Sequence, residues 1–284
     1  DLTYKTDYLG AGAQTLTEIA NGSHAFCEVL KNAERPMLVI GQGALSRDDG
    51  AAVLQSARKI ADGCGLIKDG WNGFNVLHSA AARVGGLDLG LLPSDGGRDV
   101  AGIIEGASAG DIDVVYLLGA DEIDTSSFGT AFVIYQGHHG DAGAHRADVI
   151  LPGAAYTEKN GTYVNTEGRV QRGWRAVFPP GDAREDWAII RALSDVLGCT
   201  LPYDSIAAVR RHMAKANGVF ETLDEPASGD WGAFGAEGSL DDAPFDCPIA
   251  NFYMTDPISR ASETMAECTR VVLDGDTTRT GTDG

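Results

Sequence analysis

Short continuous apolar runs alternate with amphipathic stretches through the first half of the chain. Met37-Leu38-Val39-Ile40-Gly41, Val114-Val115-Tyr116-Leu117-Leu118, Phe132-Val133-Ile134-Tyr135 and Val149-Ile150-Leu151 are too short and too uniformly apolar for surface helices, and read as strands buried on both faces. Between them, Val53, Ala57 and Ile60 recur at i, i+4 and i+7, with Ser46 and Asp49 as a capping-box-like start and Gly63 as a stop. Val100, Ile103, Ile104 and Ala107 make a second helical stripe. Val76, Leu77, Ala80, Ala81 and Val84 predict another helix, with His78 inside it and Gly85-Gly86 at its end. Leu66-Ile67 reads as a brief strand, and Ser23 as the N-cap of a short helix carrying Phe26, Val29 and Leu30. This alternation predicts an α/β fold: a Rossmann-like, doubly wound, mostly parallel sheet flanked by helices, in a domain over 1–200.

The pattern changes after Pro152. The segments 162–165 and 169–174 flank Thr166-Glu167-Gly168 and predict a hairpin or looped pair of strands. Asp182 with Glu185 reads as an N-cap pair for a helix over 182–197, whose apolar line is Trp187, Ile190, Leu193 and Leu197. The remaining 201–284 is read as a second region: a more basic helix, an acidic irregular segment and a C-terminal helix. Asp256-Pro257 opens that last helix as N-cap and N1, and Ile258, Ala261, Met265 and Cys268 line it. From Glu221 to Asp246 there are eight acids and no Lys or Arg, a composition that cannot build a core alone. Its aromatics, Trp231, Phe234 and Phe245, are expected to dock on neighbouring subunits, or else against the helix of Trp187. The stretch 275–284 is expected to be disordered.

Charge narrows the function classes. Forty-one acids against 22 bases give a net charge of -19, which disfavours nucleic acid and anionic lipid as partners. No apolar run approaches the length of a membrane helix, and residues 1–5 lack signal-peptide character. Because the first residue is Asp, the chain is expected to be a fragment of a longer polypeptide. Five dispersed cysteines without a Cys-x-x-Cys pair fit a reduced compartment, with neither a zinc nor an iron-sulfur motif.

Candidate chemistry is sparse. Gly41-Gln42-Gly43 follows a strand but lacks the third glycine of a dinucleotide fingerprint, so a structural turn is preferred. His138, His139, Asp141 and His145 lie within eight residues, yet adjacent loop residues point apart and no helical His-x-x-x-His pair occurs. Loop hydrogen bonding or a subunit contact is preferred to a metal. There is no nucleophile elbow, ordered Ser-His-Asp set or P-loop, so catalysis within this stretch is not expected.

A longer motif carries more. Ala147-Asp148-Val149-Ile150-Leu151-Pro152 is followed by Glu158-Lys159-Asn160-Gly161-Thr162 and by Asn165-Thr166-Glu167-Gly168-Arg169-Val170-Gln171. This block resembles the molybdopterin-oxidoreductase superfamily. Gly137-His138-His139-Gly140-Asp141, Gly181 through Trp187, Leu201-Pro202-Tyr203-Asp204 and the late Asn251 to Ser262 motif resemble one branch of it, the large iron-sulfur subunit family of respiratory complex I, NADH-quinone oxidoreductase. The resemblance implies a branch that has lost the molybdenum cofactor. Iron-sulfur clusters are expected upstream of Asp1 and none in this stretch, with other peripheral-arm subunits as partners. It also implies peripheral attachment at the cytoplasmic face of a bacterial inner membrane or the mitochondrial matrix side. No catalytic or metal-binding residue is expected. Gly137, His138, His139, Asp141, Glu158, Asn165, Glu167 and Arg169 are candidates for a vestigial cofactor site. Asp141-Ala142-Gly143 stands where cofactor-binding members are expected to carry a hydroxyl-rich Thr-x-Thr, and it places a carboxylate where a diphosphate would be repelled. A buried Glu167–Arg169 pair is expected to hold the loops. The alternative is a fragment of a catalytic molybdenum oxidoreductase binding a molybdopterin guanine dinucleotide.

Overall fold

A computed structural model describes residues 4–10, 12–245 and 247–275, which sort into two units with separate sheets and cores. The first is drawn from Asp1–Val84, Val164–Arg169 and Pro226–Pro248, the second from Gly85–Tyr163, Val170–Glu225 and Ile249–Gly284. The predicted tail at 275–284 lies, beyond Gly275, outside the described residues.

In the first unit, α1 (Ala13–Ala20) and α2 (Phe26–Asn32) lead into β1 (Leu38–Gly41) and α3 (Gly50–Gly63). The predicted caps fail locally: Ala25, not Ser23, stands at the N-cap of α2, and Asp49 makes no cap bond to α3. The Asp49 carboxylate is instead engaged by Arg47, 2.8 Å away, which holds it below the usual carboxylate range. The apolar line of α3 behaves as its spacing requires, since Val53, Ala57 and Ile60 are all buried. The chain then makes β2 (Ile67–Lys68), antiparallel to β3 (Trp71–Asn72), and β4 (Phe74–Leu77).

β4 corrects the sequence reading. Val76 and Leu77 fit a helical period with Ala80 and Val84, but they pair in parallel with Ile40 and Gly41 of β1. Ladder partners 36 residues away fix these residues as a strand, and the helix of this region starts only at Arg83 and contains Gly85-Gly86 instead of ending there. His78 therefore follows a strand rather than sitting inside a helix, and burial lowers its pKa.

The core of this unit gathers Ile60, Ala61, Cys64 and Leu66, with Phe74 and Trp231 packed against it. Trp231 comes from the acidic stretch. Its ring meets Phe74 edge-on at 5.2 Å and Phe234 at 4.8 Å, and its Nε1–H donates to Asp62 Oδ1 at 2.8 Å. Lys59 pairs with Glu237, and Arg47 donates to the carbonyls of Ala243 and Pro244. Trp231 and Phe234 thus anchor the stretch on α3 and β4 of its own unit, while Phe245 stays 39 % exposed with the Arg47 guanidinium 4.7 Å from its ring. Trp231→Ala should cost about 1–3 kcal/mol, below the loss for a fully buried Trp because the indole is only half-buried. It should also speed glutamyl-endopeptidase cleavage at Glu225 and Glu237. An unchanged cleavage rate would show that the indole does not anchor the segment.

The second unit holds the longer parallel sheet. α4 (Arg83–Asp88) begins at the boundary, and α5 (Val100–Ala109) follows, capped by Asp99 accepting from the Gly102 N–H at 2.8 Å. β5 (Val114–Leu118), β6 (Phe132–Gly137) and β7 (Val149–Pro152) pair side by side, all parallel, with Tyr116 opposite Ile134 and Gln136 opposite Leu151. α6 (Ala142–Arg146) connects β6 to β7. The sheet buries Val115, Leu117, Val133 and Tyr135 against Ala107 of α5 and against Phe128, the last residue of a 3-10 turn at Thr125–Phe128. Beyond it come β8 (Gly161–Val164) and β9 (Val170–Gly173), the predicted strand pair, then α7 (Asp186–Val196) and α8 (Ile206–Ala216). α7 starts four residues later than Asp182 implies, and Glu185 at its N-cap makes no cap bond. The final predicted helix is two short ones, α9 (Pro257–Arg260) and α10 (Glu263–Cys268), because Ser262 stops the first and caps the second. Asp256 caps α9 as its sequence implies, accepting from the N–H groups of Ile258 and Ser259. Among the described residues no helix is long and apolar enough to cross a membrane.

The architecture is mixed α/β with small parallel sheets. The described parallel strands lie in one two-stranded and one three-stranded sheet.

Candidate functional site

Parallel strands deliver their following loops to one edge, where α/β proteins assemble sites. In the second unit that edge holds Ala120-Asp121-Glu122 after β5, Gly137 to Asp141 after β6 and Gly153 to Glu158 after β7. The order β5-β6-β7 runs in one direction, so the described sheet contains no reversal of order of the kind that opens a nucleotide crevice.

Tyr135 explains why the β6 loop is rich in glycine. Its side chain is 2 % exposed and runs beneath the loop, so that a Cβ on Gly137 would collide with its hydroxyl and one on Gly143 would fall 2.8 Å from its ring. Gly137 and Gly143 are thus constrained by a tyrosine of the same fold, while a Cβ on Gly140 would meet nothing. The hydroxyl donates to the His139 carbonyl at 3.2 Å and lies 3.4 Å from Asp121 Oδ2. Burial, reinforced by the Asp121 charge, pushes its pKa up to about 12.

A cavity of about 560 Å³ opens at the ends of β6 and β7, lined by Gly137, His138, His139, Gly153, Glu158 and Asp182 among others. Four of the sequence candidates therefore converge: Gly137, His138, His139 and Glu158. His138 and His139 meet through their Nδ1 atoms at 2.7 Å, so one ring donates and the other accepts. Burial, with His139 and Lys159 nearby, lowers the His138 pKa and favours the neutral ring. Glu158 is already engaged, accepting from the Ala155 N–H at 2.9 Å. Lys159, the adjacent cation, is paired with Asp186. Asp186 also accepts from the fully buried Gln136 amide at 2.8 Å, and Tyr116 donates to Gln136 in turn. The cavity wall thus has two carboxylates and no Lys, Arg, Ser or Thr, a donor set that does not fit the diphosphate of a pterin dinucleotide.

Asp141 leaves the cavity and serves another assembly. One carboxylate oxygen accepts from the Ala142 N–H at 2.8 Å, capping α6, and the other is bound by the Arg260 guanidinium of α9. The same guanidinium reaches Asp121 Oδ1 at 2.8 Å and Glu122 Oε1 at 3.4 Å. The Asp121 side chain is 1 % exposed, and its burial raises its pKa against the pull of Arg260. Asp141, by contrast, is held low by its hydrogen bond to Arg260. Sequence reasoning missed this clasp, although Arg260 stands inside the late motif and Asp121-Glu122 directly after a strand. His145 is exposed on α6, and among the described residues no three His, Cys, Asp or Glu side chains converge as metal ligands.

The remaining candidates, Asn165, Glu167 and Arg169, belong to the first unit and organise their own turn. Asn165 Oδ1 accepts from the N–H groups of Glu167 and Arg169, and Arg169 pairs with Glu167 at 3.2 Å. The ion pair exists as expected, but it is not buried: the Glu167 side chain is 54 % exposed, in a tight turn that Gly168 completes at φ +74°.

A parallel α/β sheet whose loops carry this block defines a class, and comparison with known families fixes it. Residues 1–196 match the molybdopterin oxidoreductase family, and residues 225–268 match the family formed by the C-terminal segment of the NADH-ubiquinone oxidoreductase G subunit. The chain belongs to the molybdopterin oxidoreductase family, in the branch that carries that C-terminal segment. It is 43 % identical over 276 residues to the mitochondrial NADH dehydrogenase (ubiquinone) iron-sulfur protein 1 of Solanum tuberosum, covering 96 % of this chain and 36 % of that protein. It is 41 % identical to the NADH-quinone oxidoreductase G subunit of Rickettsia bellii, over 94 % of this chain and 37 % of the relative. The NADH-ubiquinone oxidoreductase 75 kDa subunit of Reclinomonas americana is also 41 % identical, over 95 % and 39 % respectively. The chain spans well under half the length of these relatives.

Proposed function

We propose that this chain is a cofactor-free scaffold region of the large iron-sulfur subunit of NADH-quinone oxidoreductase, supporting electron transfer from NADH to quinone without itself carrying electrons. The observation that carries the reading is the 41–43 % identity to such subunits across 94–96 % of the chain, joined to the C-terminal family match at 225–268. The site supports the cofactor-free part. Its glycines are used by Tyr135, its cations by Asp186 and by the Arg260 clasp, and its cavity wall is acidic. Gly137, His138, His139, Asp141, Glu158, Asn165, Glu167 and Arg169 are then relics of a cofactor site that now serve loop structure. In this reading the iron-sulfur clusters sit in the part of the subunit outside this chain. Other peripheral-arm subunits are the partners, and they tether the region to the cytoplasmic face of a bacterial inner membrane or the matrix side of a mitochondrial one. We further propose that the fold is Rossmann-like and doubly wound. The functional division would then fall near residue 200, consistent with a family match that ends at 196.

The competing reading, a fragment of a molybdenum oxidoreductase, is motivated by the match over 1–196. Metal and pterin analysis of the purified full-length parent separates the two. Iron without molybdenum or pterin is expected, and stoichiometric molybdenum would overturn the proposal.

A further inference from the structure

In a chain of net charge -19, the stretch from Val170 to Pro180 carries two arginines and no acid. It also carries large apolar side chains held in solvent: Trp174 is 68 % exposed, Val177 55 % and Phe178 78 %. The backbone beneath them is fixed. The N–H groups of Ala176 and Val177 donate to the Thr157 carbonyl at 2.8 and 3.2 Å, and the Arg175 N–H donates to Asn160 Oδ1 at 3.3 Å. Those bonds set Tyr156, itself exposed, alongside the stretch.

Both arginines stack on aromatic rings. The Arg175 guanidinium lies 4.3 Å from the Phe178 ring centroid, and that of Arg172 lies 6.0 Å from Trp174. The carboxylate paired with Arg175 is Glu185, at 4.0 Å, and Glu185 already accepts from the Trp187 indole N–H at 2.7 Å. Among the described residues Arg210, on α8, donates to two neutral oxygens, Thr162 Oγ1 and the Gly161 carbonyl, both at 3.2 Å. Burial and the neighbouring Arg172 charge lower its pKa against the opposing charge of Glu185, so that one carboxylate faces both Arg175 and Arg210.

Ordered aromatics beside incompletely paired arginines are the composition of an interface centre, where planar guanidiniums stack on rings while binding carboxylates through paired N–H groups. We propose that Tyr156, Arg172, Trp174, Arg175 and Phe178 form a docking surface for a protein partner presenting an apolar recess rimmed by Asp or Glu. Charge complementarity picks the occupant. A membrane or nucleic acid would set an extended phosphate array against the acidic remainder of the chain, and a second copy would bring another -19 charge, whereas a local carboxylate rim meets only the arginines. The inference rests on the reading that the chain works beside other subunits.

The test places p-benzoylphenylalanine at position 178 of the full-length subunit, and separately at Leu91, an exposed control in the same unit. Each protein is irradiated in the assembled oxidoreductase. The expected result is one partner polypeptide crosslinked to 178 within a peptide containing Asp or Glu. The Arg172→Glu/Arg175→Glu double variant should lower the yield about tenfold or more, and about 0.5 M salt should lower it further. Trp174→Ser should lower it too without moving the urea midpoint, which separates docking from folding. Three results overturn the surface: crosslinks joining two copies, flotation of the free subunit with phosphatidylglycerol vesicles, or no crosslink at 178 in a subunit that co-purifies with NADH dehydrogenase activity. A subunit that does not co-purify with that activity overturns the subunit reading and this surface together.

Discussion

Phe128→Ala should destabilise the second unit by about 3–5 kcal/mol, a large part of the roughly 5–15 kcal/mol that holds a typical domain. Phe128 is 0 % exposed and sits among Ala107, Val115, Leu117, Val133 and Tyr135, so truncation empties the space where α5, β5 and β6 meet. Neighbouring backbone cannot easily collapse into it. The turn that delivers Phe128 is pinned by Asp124, which accepts from the hydroxyls of Ser126 and Ser127, and Gly129 continues it at φ +54° close to the Ala107 carbonyl. Phe128→Leu keeps most of the volume and should cost less than about 1.5 kcal/mol. Urea unfolding followed by far-UV circular dichroism checks both. A loss under about 1 kcal/mol for the alanine variant would mean that the cluster is not a continuous core.

Phe128 also marks where reading the sequence stops. The runs that became β1, β5, β6 and β7 were legible because uninterrupted apolar residues at that length have few other uses, and the cap Asp256 could act on N–H groups two and three residues away. Phe128 lies in a polar segment with no period, and only the sheet beneath it makes it core. Val76 and Leu77 satisfied a helical spacing, and the choice of strand was made by Ile40 and Gly41, distant in sequence. Asp49 had the composition of a cap but its carboxylate went to Arg47. The candidate site divided in the same way. Gly137, His138, His139 and Glu158 share a cavity, whereas Asn165, Glu167 and Arg169 organise a turn of the first unit. The residue that engages Asp141 was invisible, since Arg260 lies 119 positions further along the chain.

Arg260→Met should cost about 3–5 kcal/mol near neutral pH, because it strands a buried charge while keeping most of the side-chain volume. Asp121 is 1 % exposed, and Asp141 and Glu122 face it across the same guanidinium. Without Arg260, three carboxylates repel one another with that guanidinium gone, and the buried one must take up a proton or the loops must part. The pH dependence follows from the direction of the shifts. Burial already places the folded pKa of Asp121 above its unfolded value, so its protonation favours the folded state as pH falls, and more so in the variant, where nothing opposes the rise. In the native protein Asp141 is shifted the other way, and the stability it contributes is fully present above the ordinary carboxylate pKa and lost as pH falls through its lowered folded value. Both effects narrow the gap between native and variant on acidification, so the cost should be largest near pH 7 and shrink towards pH 4. Asp121→Asn in the Arg260→Met background removes the stranded charge and should recover about half of the loss, even though in the native background it weakens the clasp. Urea midpoints of the four proteins at pH 7, 5.5 and 4 complete the cycle. A cost that does not change with pH, or a double variant no more stable than Arg260→Met, would show that Arg260 acts through packing of its aliphatic stem and not by neutralising the loop carboxylates.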